Sequence, residues 1–356
     1  MKVGIVLGTR PEIIKFAPII RECEKRGTNY FIVHTGQHYD YNMDKVFFED
    51  LKLPKPRYNL DVGSGFYGEQ LNKMITKLKE VFQNEKPDVV LVLGDTSTTL
   101  AGALVAHNLG IKVGHVESGL RSYEIMYEEV HRVISGIIGD YLFVPTENSK
   151  QNLLKEGINQ NKIFVTGNTI VDATYQNIEL TDNKILEKLG IKPNDYIAIT
   201  AHRPEYVDKK DELSDTLKAL EILSNEHKII FPIHPRTRKN IQRFNLKIPE
   251  KVRVIEPVGY LDFLSLMNNS KLMLTDSGGV QEETCIIKKP CITLRNATER
   301  PETVEVGSNM IAGTNPNKII ECVNIMLNKE RNWENPFGDG KTGKRIMDIL
   351  QEKLSL

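Results

Sequence analysis

The chain has 356 residues, 40% of them hydrophobic and 26% charged, with 47 Lys and Arg set against 47 Asp and Glu. That length accommodates two domains of ordinary size, and the even charge balance exerts no general pull toward nucleic acid or a membrane surface. Any anion site must therefore be built locally. No apolar run approaches the roughly 20 residues needed to span a bilayer, and the opening MKVGIVLGTRPE runs into polar motif residues instead of a cleavage site. Four cysteines (Cys23, Cys285, Cys291, Cys322) form no CxxC pair and no zinc-ligand spacing. They read as small core residues of a reduced, cytoplasmic chain without a bound metal or other cofactor.

Short β-branched runs alternate with longer amphipathic stretches, the pattern of a parallel sheet covered by helices. In the first half, strands are expected at Val3 to Leu7, Phe31 to His34, Val89 to Leu93, Val113 to Val116, Leu142 to Val144 and Ile163 to Val165. The second half offers Ile197 to Thr200, Ile229 to Ile233, Val252 to Ile255, Leu272 to Leu274 and Cys291 to Leu294. With a boundary near Gly167, the reading is α/β: two Rossmann-like, doubly wound domains, 1–167 and 168–334, facing each other across a cleft. Residues 335–356 are expected to end in a helix that crosses back to the first domain. Ligands of such folds bind outside the carboxyl ends of the strands.

The first strand ends in Gly8-Thr9-Arg10-Pro11-Glu12. Thr9 and Glu12 have capping-box spacing, and Pro11 sits in the first helical turn, where a missing N–H costs little. Arg10 and Lys15 then lie at and just beyond a helix N-terminus, a position that opposes the helix dipole unless an anion lies between them. Solvated surface cations are the plainer reading; an anion site is the sharper one. Gly63-Ser-Gly-Phe-Tyr-Gly68 is a literal GxGxxG with Asp88 about 20 residues on, but Pro56-Arg-Tyr-Asn-Leu-Asp before it is a poor strand. A loop leading into a helix accounts for it better than a dinucleotide site.

Leu93-Gly-Asp95-Thr-Ser and Val116-Glu117-Ser-Gly-Leu-Arg each leave a strand with a carboxylate at its C-terminal end. Asp95 alone reads equally well as a helix N-cap. A third acidic site is Tyr127-Glu128-Glu129-Val-His131-Arg132, where Glu128 and Arg132 also have the spacing of an ordinary helical ion pair. Carboxylates grouped at one sheet edge serve as base and acid when their surroundings separate their pKa values.

In the second half, Ala201-His202-Arg and Ile233-His234-Pro-Arg each place a histidine beside an arginine at a strand end, which favours phosphate contacts over metal binding. Leu272-Met-Leu leads through Thr275-Asp-Ser277-Gly278-Gly279 into a helix carrying Glu283. A Gly pair there lets a ligand approach the backbone and presents free amides to an anion. No GxxxxGK[ST] and no GxSxG motif is present.

Together GTRPEIIK, GDTSTT, HVESGLRS, TDSGGVQEE, TERPE and NPFGDG, running in order from Gly8 to Gly340, resemble the non-hydrolysing UDP-N-acetylglucosamine 2-epimerases, which have a GT-B-like pair of Rossmann domains. The resemblance implies interconversion of UDP-GlcNAc and UDP-ManNAc by elimination of UDP to a 2-acetamidoglucal and re-addition to the other face. It implies that Arg10, Lys15, His202, Ser277, Gly278 and Gly279 surround the diphosphate. Glu283 would take the ribose hydroxyls, and Phe263 would bracket the uracil partly through its backbone. Val258, standing where many members carry Gln, would offer only its backbone. His234 and Arg300 complete the implied nucleotide-sugar site, Asp95, Glu117 and Glu128 (with Glu129 as the alternative) are the implied acid-base groups, and a homodimer is the implied assembly. The family's usual Pro-Glu-Glu-x-Asn-Arg is Tyr127-Glu-Glu-Val-His131-Arg here, and its His-Arg-Arg-Glu-Asn is His202-Arg-Pro-Glu-Tyr206. Its activator segment corresponds to Gly36 to Lys45, where Gln37 is kept and Lys45 falls near a second Gln. A 2-epimerase of a UDP-2,3-diacetamido uronic acid, a GT-B glycosyltransferase and a non-catalytic UDP-sugar sensor are the competing readings.

Overall fold

The computed structural model describes residues 1–36, 41–63, 65–121 and 127–355, the side chains of 41–45 excepted; Gln37 and the Lys45 side chain, on which substrate activation turned, lie outside the described residues. The chain forms two compact units, 1–176 with 337–356, and 177–336. The first holds a seven-stranded, all-parallel sheet of order β3-β2-β1-β4-β5-β6-β7. Its strands are β1 (Lys2–Leu7), β2 (Asn29–His34), β3 (Tyr58–Asn59), β4 (Val89–Leu93), β5 (Lys112–Val116), β6 (Tyr141–Val144) and β7 (Ile163–Val165). The second holds six parallel strands ordered β10-β9-β8-β11-β12-β13. These are β8 (Tyr196–Thr200), β9 (Lys228–Pro232), β10 (Val252–Ile255), β11 (Leu272–Thr275), β12 (Cys291–Thr293) and β13 (Asn309–Ile311). In both sheets the order reverses direction beside the first strand, so β1 with β4 and β8 with β11 form the switch points where doubly wound folds open a crevice.

The period-2 alternation of the strands is visible in the second unit's packing. Ile197 and Ile199 of β8, Ile229 and Phe231 of β9, and Leu272 and Leu274 of β11 enter one buried cluster. Their neighbours Tyr196, Ala198, Ile230 and Met273 enter the cluster on the opposite face. Both faces are covered by helices, which is why these strands read as continuous apolar runs.

Two strands carried no usable sequence signal. Both β3 and β13 are short edge strands, two and three residues long, too brief for alternation to show. The Gly63–Gly68 stretch follows edge strand β3 and leads into the Tyr67–Glu85 helix, whereas a dinucleotide fingerprint follows the central first strand. The unit boundary also lies later than Gly167. Asn168 N donates to Phe337 O at 2.8 Å, Gly343 N donates to Asp172 Oδ1 at 2.9 Å, and Arg21 donates to Gln176 Oε1 at 2.6 Å. These bonds hold most of the Thr169–Ile178 helix to the first unit, and no composition shift marks them. In that unit the last helix, Thr342–Leu354, lies against Arg10–Arg26 so closely that a Cβ on Gly343 would stand 3.0 Å from the Pro18 backbone. The four cysteines are free and buried. No helix among the described residues is long and apolar enough to cross a membrane.

Candidate active site

The loops after β1, β4 and β5 in the first unit are tied together by side chains. Glu12 completes the capping box of the Arg10–Arg26 helix, taking the N–H groups of Gly8 and Thr9 on Oε2 at 2.9 Å each. Its other oxygen accepts from Thr96 Oγ1 at 2.7 Å, bridging the β1 and β4 loops across the switch point. The helix N-terminus is therefore met first by a carboxyl group of the chain itself. Burial pushes the Glu12 carboxyl up to about 7, against the lowering effect of these hydrogen bonds. His115 of β5 is also buried, which lowers its pKa to about 4, and its Nε2 lies 2.8 Å from Gly94 O.

These two groups oppose one another in pH. A carboxyl raised from 4.5 stabilises the fold fully below about pH 4.5 and loses that contribution as pH climbs through 7. A histidine lowered from 6.5 contributes fully above 6.5 and loses it as pH falls through 4. Glu12→Gln should remove the first slope only, so the melting temperature of the variant relative to the unsubstituted protein should rise between pH 4.5 and 7. A pH-independent difference would contradict the burial-driven shift.

Lys15 places its ammonium 2.6 and 2.7 Å from the two carboxylate oxygens of Glu117. Both side chains are largely buried, and Asn168 Nδ2 adds a contact to Glu117 Oε1 at 3.4 Å. The cation expected at a diphosphate thus engages a carboxylate of its own unit, an ion pair spanning 102 positions that no local pattern announces. Glu117 itself has φ 61°, a left-handed conformation costly for a side chain with a Cβ. Gly119, two residues on, is irreplaceable in its turn: φ is 80°, and a Cβ would stand 2.4 Å from Ser149 O. The Arg10 guanidinium lies over the Phe47 ring, 5.2 Å from its centroid.

Asp95 is not the N-cap of the following helix. Thr96 has that role, its hydroxyl accepting from Thr99 N at 3.2 Å. The Asp95 carboxylate pairs instead with Arg132, which also donates to Glu129 at 2.9 Å. Glu129 further faces Arg121 at 3.7 Å, and Arg121 makes two bonds to Glu156, at 2.7 and 2.6 Å. Glu128 is exposed and stands outside this network. Because Glu129 is used to hold Arg132, its substitution by Gln should lower the melting temperature. Glu128→Gln should leave melting unchanged and reduce turnover at least about tenfold. Thermal melts alongside kcat for both variants check this; the reverse pattern would exchange their roles.

In the second unit the amides of His202 and Arg203, beyond β8, donate to Asp276 Oδ2 at 2.6 and 2.7 Å, and His202 Nδ1 lies 3.2 Å from Asp276 Oδ1. Asp276 is buried and orients the loop across the β8–β11 switch point, a role its place in the Gly-rich turn did not reveal. The His202 and His234 rings are 5.5 Å apart. Ser277 is the N-cap of the Gly278–Ile286 helix without a side-chain capping bond. Neither glycine needs a positive φ. A Cβ on Gly278 would meet nothing nearer than Glu299 Oε2 at 3.5 Å, and one on Gly279 nothing nearer than Ser277 Oγ at 4.0 Å. The fold's own packing does not demand glycine here, and the space beside the helix amides beyond Ser277 is open.

Glu283 is buried and accepts from Tyr260 Oη at 2.7 Å. Phe263 and Val258 are partly buried against the same apolar cluster. The Phe263 N–H, one expected backbone contact to a base, donates to Gly259 O at 2.9 Å and is committed to the Tyr260–Asn268 helix. Arg300 pairs with buried Glu282 at 2.6 Å, and Arg295 with Glu299 at 2.8 Å, holding the Glu299 carboxyl down at about 2 despite its burial. Among the described residues no His, Cys, Asp and Glu group is disposed to hold a metal.

Glu12, Tyr67, His131, Arg132 and Asp276 were missed as site-building residues. Glu12 carried a local signal for a cap and Arg132 one for a helical ion pair with Glu128, and neither signal stated the contact that the fold makes.

Two parallel Rossmann-type sheets, one with carboxylates and cations at its strand ends and the other with an open Gly-Gly helix N-terminus, define a GT-B-like protein. A family model described as UDP-N-acetylglucosamine 2-epimerase matches residues 21–351. The UDP-N-acetylglucosamine 2-epimerase of Methanocaldococcus jannaschii is 56% identical over 361 residues, covering 98% of this chain and 99% of that one. The UDP-2,3-diacetamido-2,3-dideoxy-D-glucuronate 2-epimerase of Pseudomonas aeruginosa is 38% identical over 357 residues, with 98% and 99% covered. The crystal structure of the M. jannaschii enzyme in complex with UDP-GlcNAc and UDP superposes with a TM-score of 0.89 at 55% identity, covering 99% of this chain and all of that one. The chain belongs to the UDP-N-acetylglucosamine 2-epimerase family, a family of isomerases.

Proposed function

We propose that this enzyme interconverts UDP-GlcNAc and UDP-ManNAc. The C2 proton of the sugar has no adjacent carbonyl to acidify it, so direct abstraction and return is disfavoured. Elimination solves the problem: a carboxylate takes the C2 proton, the C1–O bond to UDP breaks, and a 2-acetamidoglucal and UDP result. Re-addition of UDP at C1 with proton delivery to the opposite face of C2 completes the inversion. Such a route needs acid-base carboxylates at the sugar and stabilisation of the departing diphosphate.

The observation that carries this reading is Glu117, buried, held in a left-handed backbone conformation and faced by the Lys15 ammonium. Backbone strain of that kind clusters at active sites. In the first unit, Asp95, Glu117 and Glu128 act on the sugar, with Arg10 and Lys15 supplying positive charge. In the second unit, Ser277, Gly278 and Gly279 with His202 receive the diphosphate. Glu283 receives the ribose, Val258 and Phe263 the uracil, and His234 and Arg300 complete the surroundings of the nucleotide sugar. The enzyme acts in the cytoplasm as a homodimer; Tyr127, Val130 and Ile137, exposed along one helix, support self-association.

Incubation with UDP-GlcNAc in D2O tests the reaction. Deuterium at C2 and formation of UDP-ManNAc are expected. Neither deuterium nor UDP-ManNAc would overturn the proposal.

A further inference from the structure

Two consecutive residues of the Tyr127–Ile138 helix grip Asp95 at separate points. Arg132 pairs with its carboxylate, and His131 Nδ1 lies 2.7 Å from its backbone carbonyl oxygen. A carbonyl only accepts, so Nδ1 carries the proton, and in the neutral ring Nε2 is then an acceptor. Tyr67 Oη stands 2.6 Å from Nε2 and supplies the donor. The Tyr67 and His131 rings lie nearly parallel, 5.8 Å apart at 9°, and Tyr127 stacks on Tyr67 at 5.1 Å. His131 is buried, so both ring nitrogens require partners and the tautomer is fixed by them.

The turn carrying Asp95 is held on either side, by His115 at Gly94 O and by Thr96 at Glu12. Between these anchors the His131 bond holds the Asp95–Thr96 peptide at its carbonyl oxygen. Rotation of that peptide would swing the carboxylate away from the direction Arg132 gives it. We propose that Tyr67 and His131 form a positioning pair that sets the orientation of the Asp95 carboxylate toward C2 of the sugar. The inference rests on the epimerase reading, in which Asp95 is an acid-base group. Neither residue touches the reacting atoms; each acts through Asp95, and Tyr67 comes from the GxGxxG stretch that the nucleotide site does not use.

Three variants test it: His131→Ala, His131→Asn and Tyr67→Phe. An asparagine Nδ2 reaches as far as the imidazole Nδ1 and donates the same bond to the Asp95 carbonyl. C2 deuterium exchange at saturating UDP-GlcNAc gives kcat, with KM, UDP affinity and melting temperature measured in parallel. His131→Ala should lower kcat at least about thirtyfold with KM changed by less than about threefold, the signature of misplaced chemistry at intact binding. His131→Asn should recover most of that loss. Tyr67→Phe should lower kcat about three- to tenfold with no change in UDP affinity. An unchanged kcat in His131→Ala overturns the proposal, and so does a folded His131→Asn as impaired as the alanine variant. Should His131→Ala fail to fold, Tyr67→Phe decides, and wild-type kcat there overturns it. Absence of exchange in the unsubstituted enzyme would sink the epimerase reading and this inference with it, whereas exchange there beside a fully active His131→Ala sinks this inference alone.

Discussion

Replacing Glu117 by Gln should reduce C2 deuterium exchange by at least about a hundredfold, while UDP affinity stays within a few-fold. The charge lost is the one we assign to proton transfer, and the amide cannot replace it as base. UDP affinity should survive because Glu117 belongs to the first unit, whereas the Gly-Gly helix N-terminus belongs to the second. The substitution also touches stability. Lys15 is left with a neutral partner in a site where its side chain is only 11% exposed, and breaking such a pair costs about 3–5 kcal/mol when nothing replaces the lost partner. The Gln carbonyl still accepts one bond, so the loss should fall short of that. Adding Lys15→Met should recover the melting temperature, which would assign the stability loss to the ammonium deprived of its carboxylate partner. Wild-type exchange by the single variant, or a collapse of its UDP affinity, would contradict the assignment.

Gly278→Ala should divide stability from binding the other way. The residue is the first of a nine-residue helix, has no positive φ, and its added methyl would meet only Glu299 Oε2 at ordinary contact distance. Alanine is the better helix former by up to about 1 kcal/mol in helix interiors, so the melting temperature should hold or rise slightly. If the amides beyond Ser277 receive a diphosphate, the methyl occupies the space the phosphate oxygens need. UDP affinity should fall at least about thirtyfold, close to 2 kcal/mol. Calorimetric titration with UDP beside a thermal melt gives both readings. Retention of UDP affinity would move the diphosphate site away from this turn.

Much of the architecture was legible because it is written in short-range pattern. Eleven expected strands correspond to β-strands of the two sheets, since a parallel strand covered on both faces must be apolar throughout, and the helices between them carry a different period. The family was legible for a related reason: its blocks sit at strand ends, where backbone geometry and ligand chemistry restrict residue choice together. Two edge strands escaped notice because a strand of two or three residues has no period. The unit boundary was misplaced because it depends on hydrogen bonds from residues 168–176 to Arg21, Phe337 and Gly343, distant in sequence.

The candidate site divides along the same line. By itself the sequence determined which carboxylates and cations stand at strand C-termini, because strand-loop-helix order and residue type decide that locally. It also determined that glycines open the second unit's helix. Only the tertiary structure decided partners. Lys15 turned out to face Glu117, Asp95 to be held through Arg132 and His131 instead of capping a helix, and Glu12 to join two loops as well as cap one. Each of these contacts joins residues tens of positions apart, brought to hydrogen-bond distance by the parallel pairing of β1, β4 and β5. An ion pair depends on position to within an ångström, and residue order along a single chain does not carry that information.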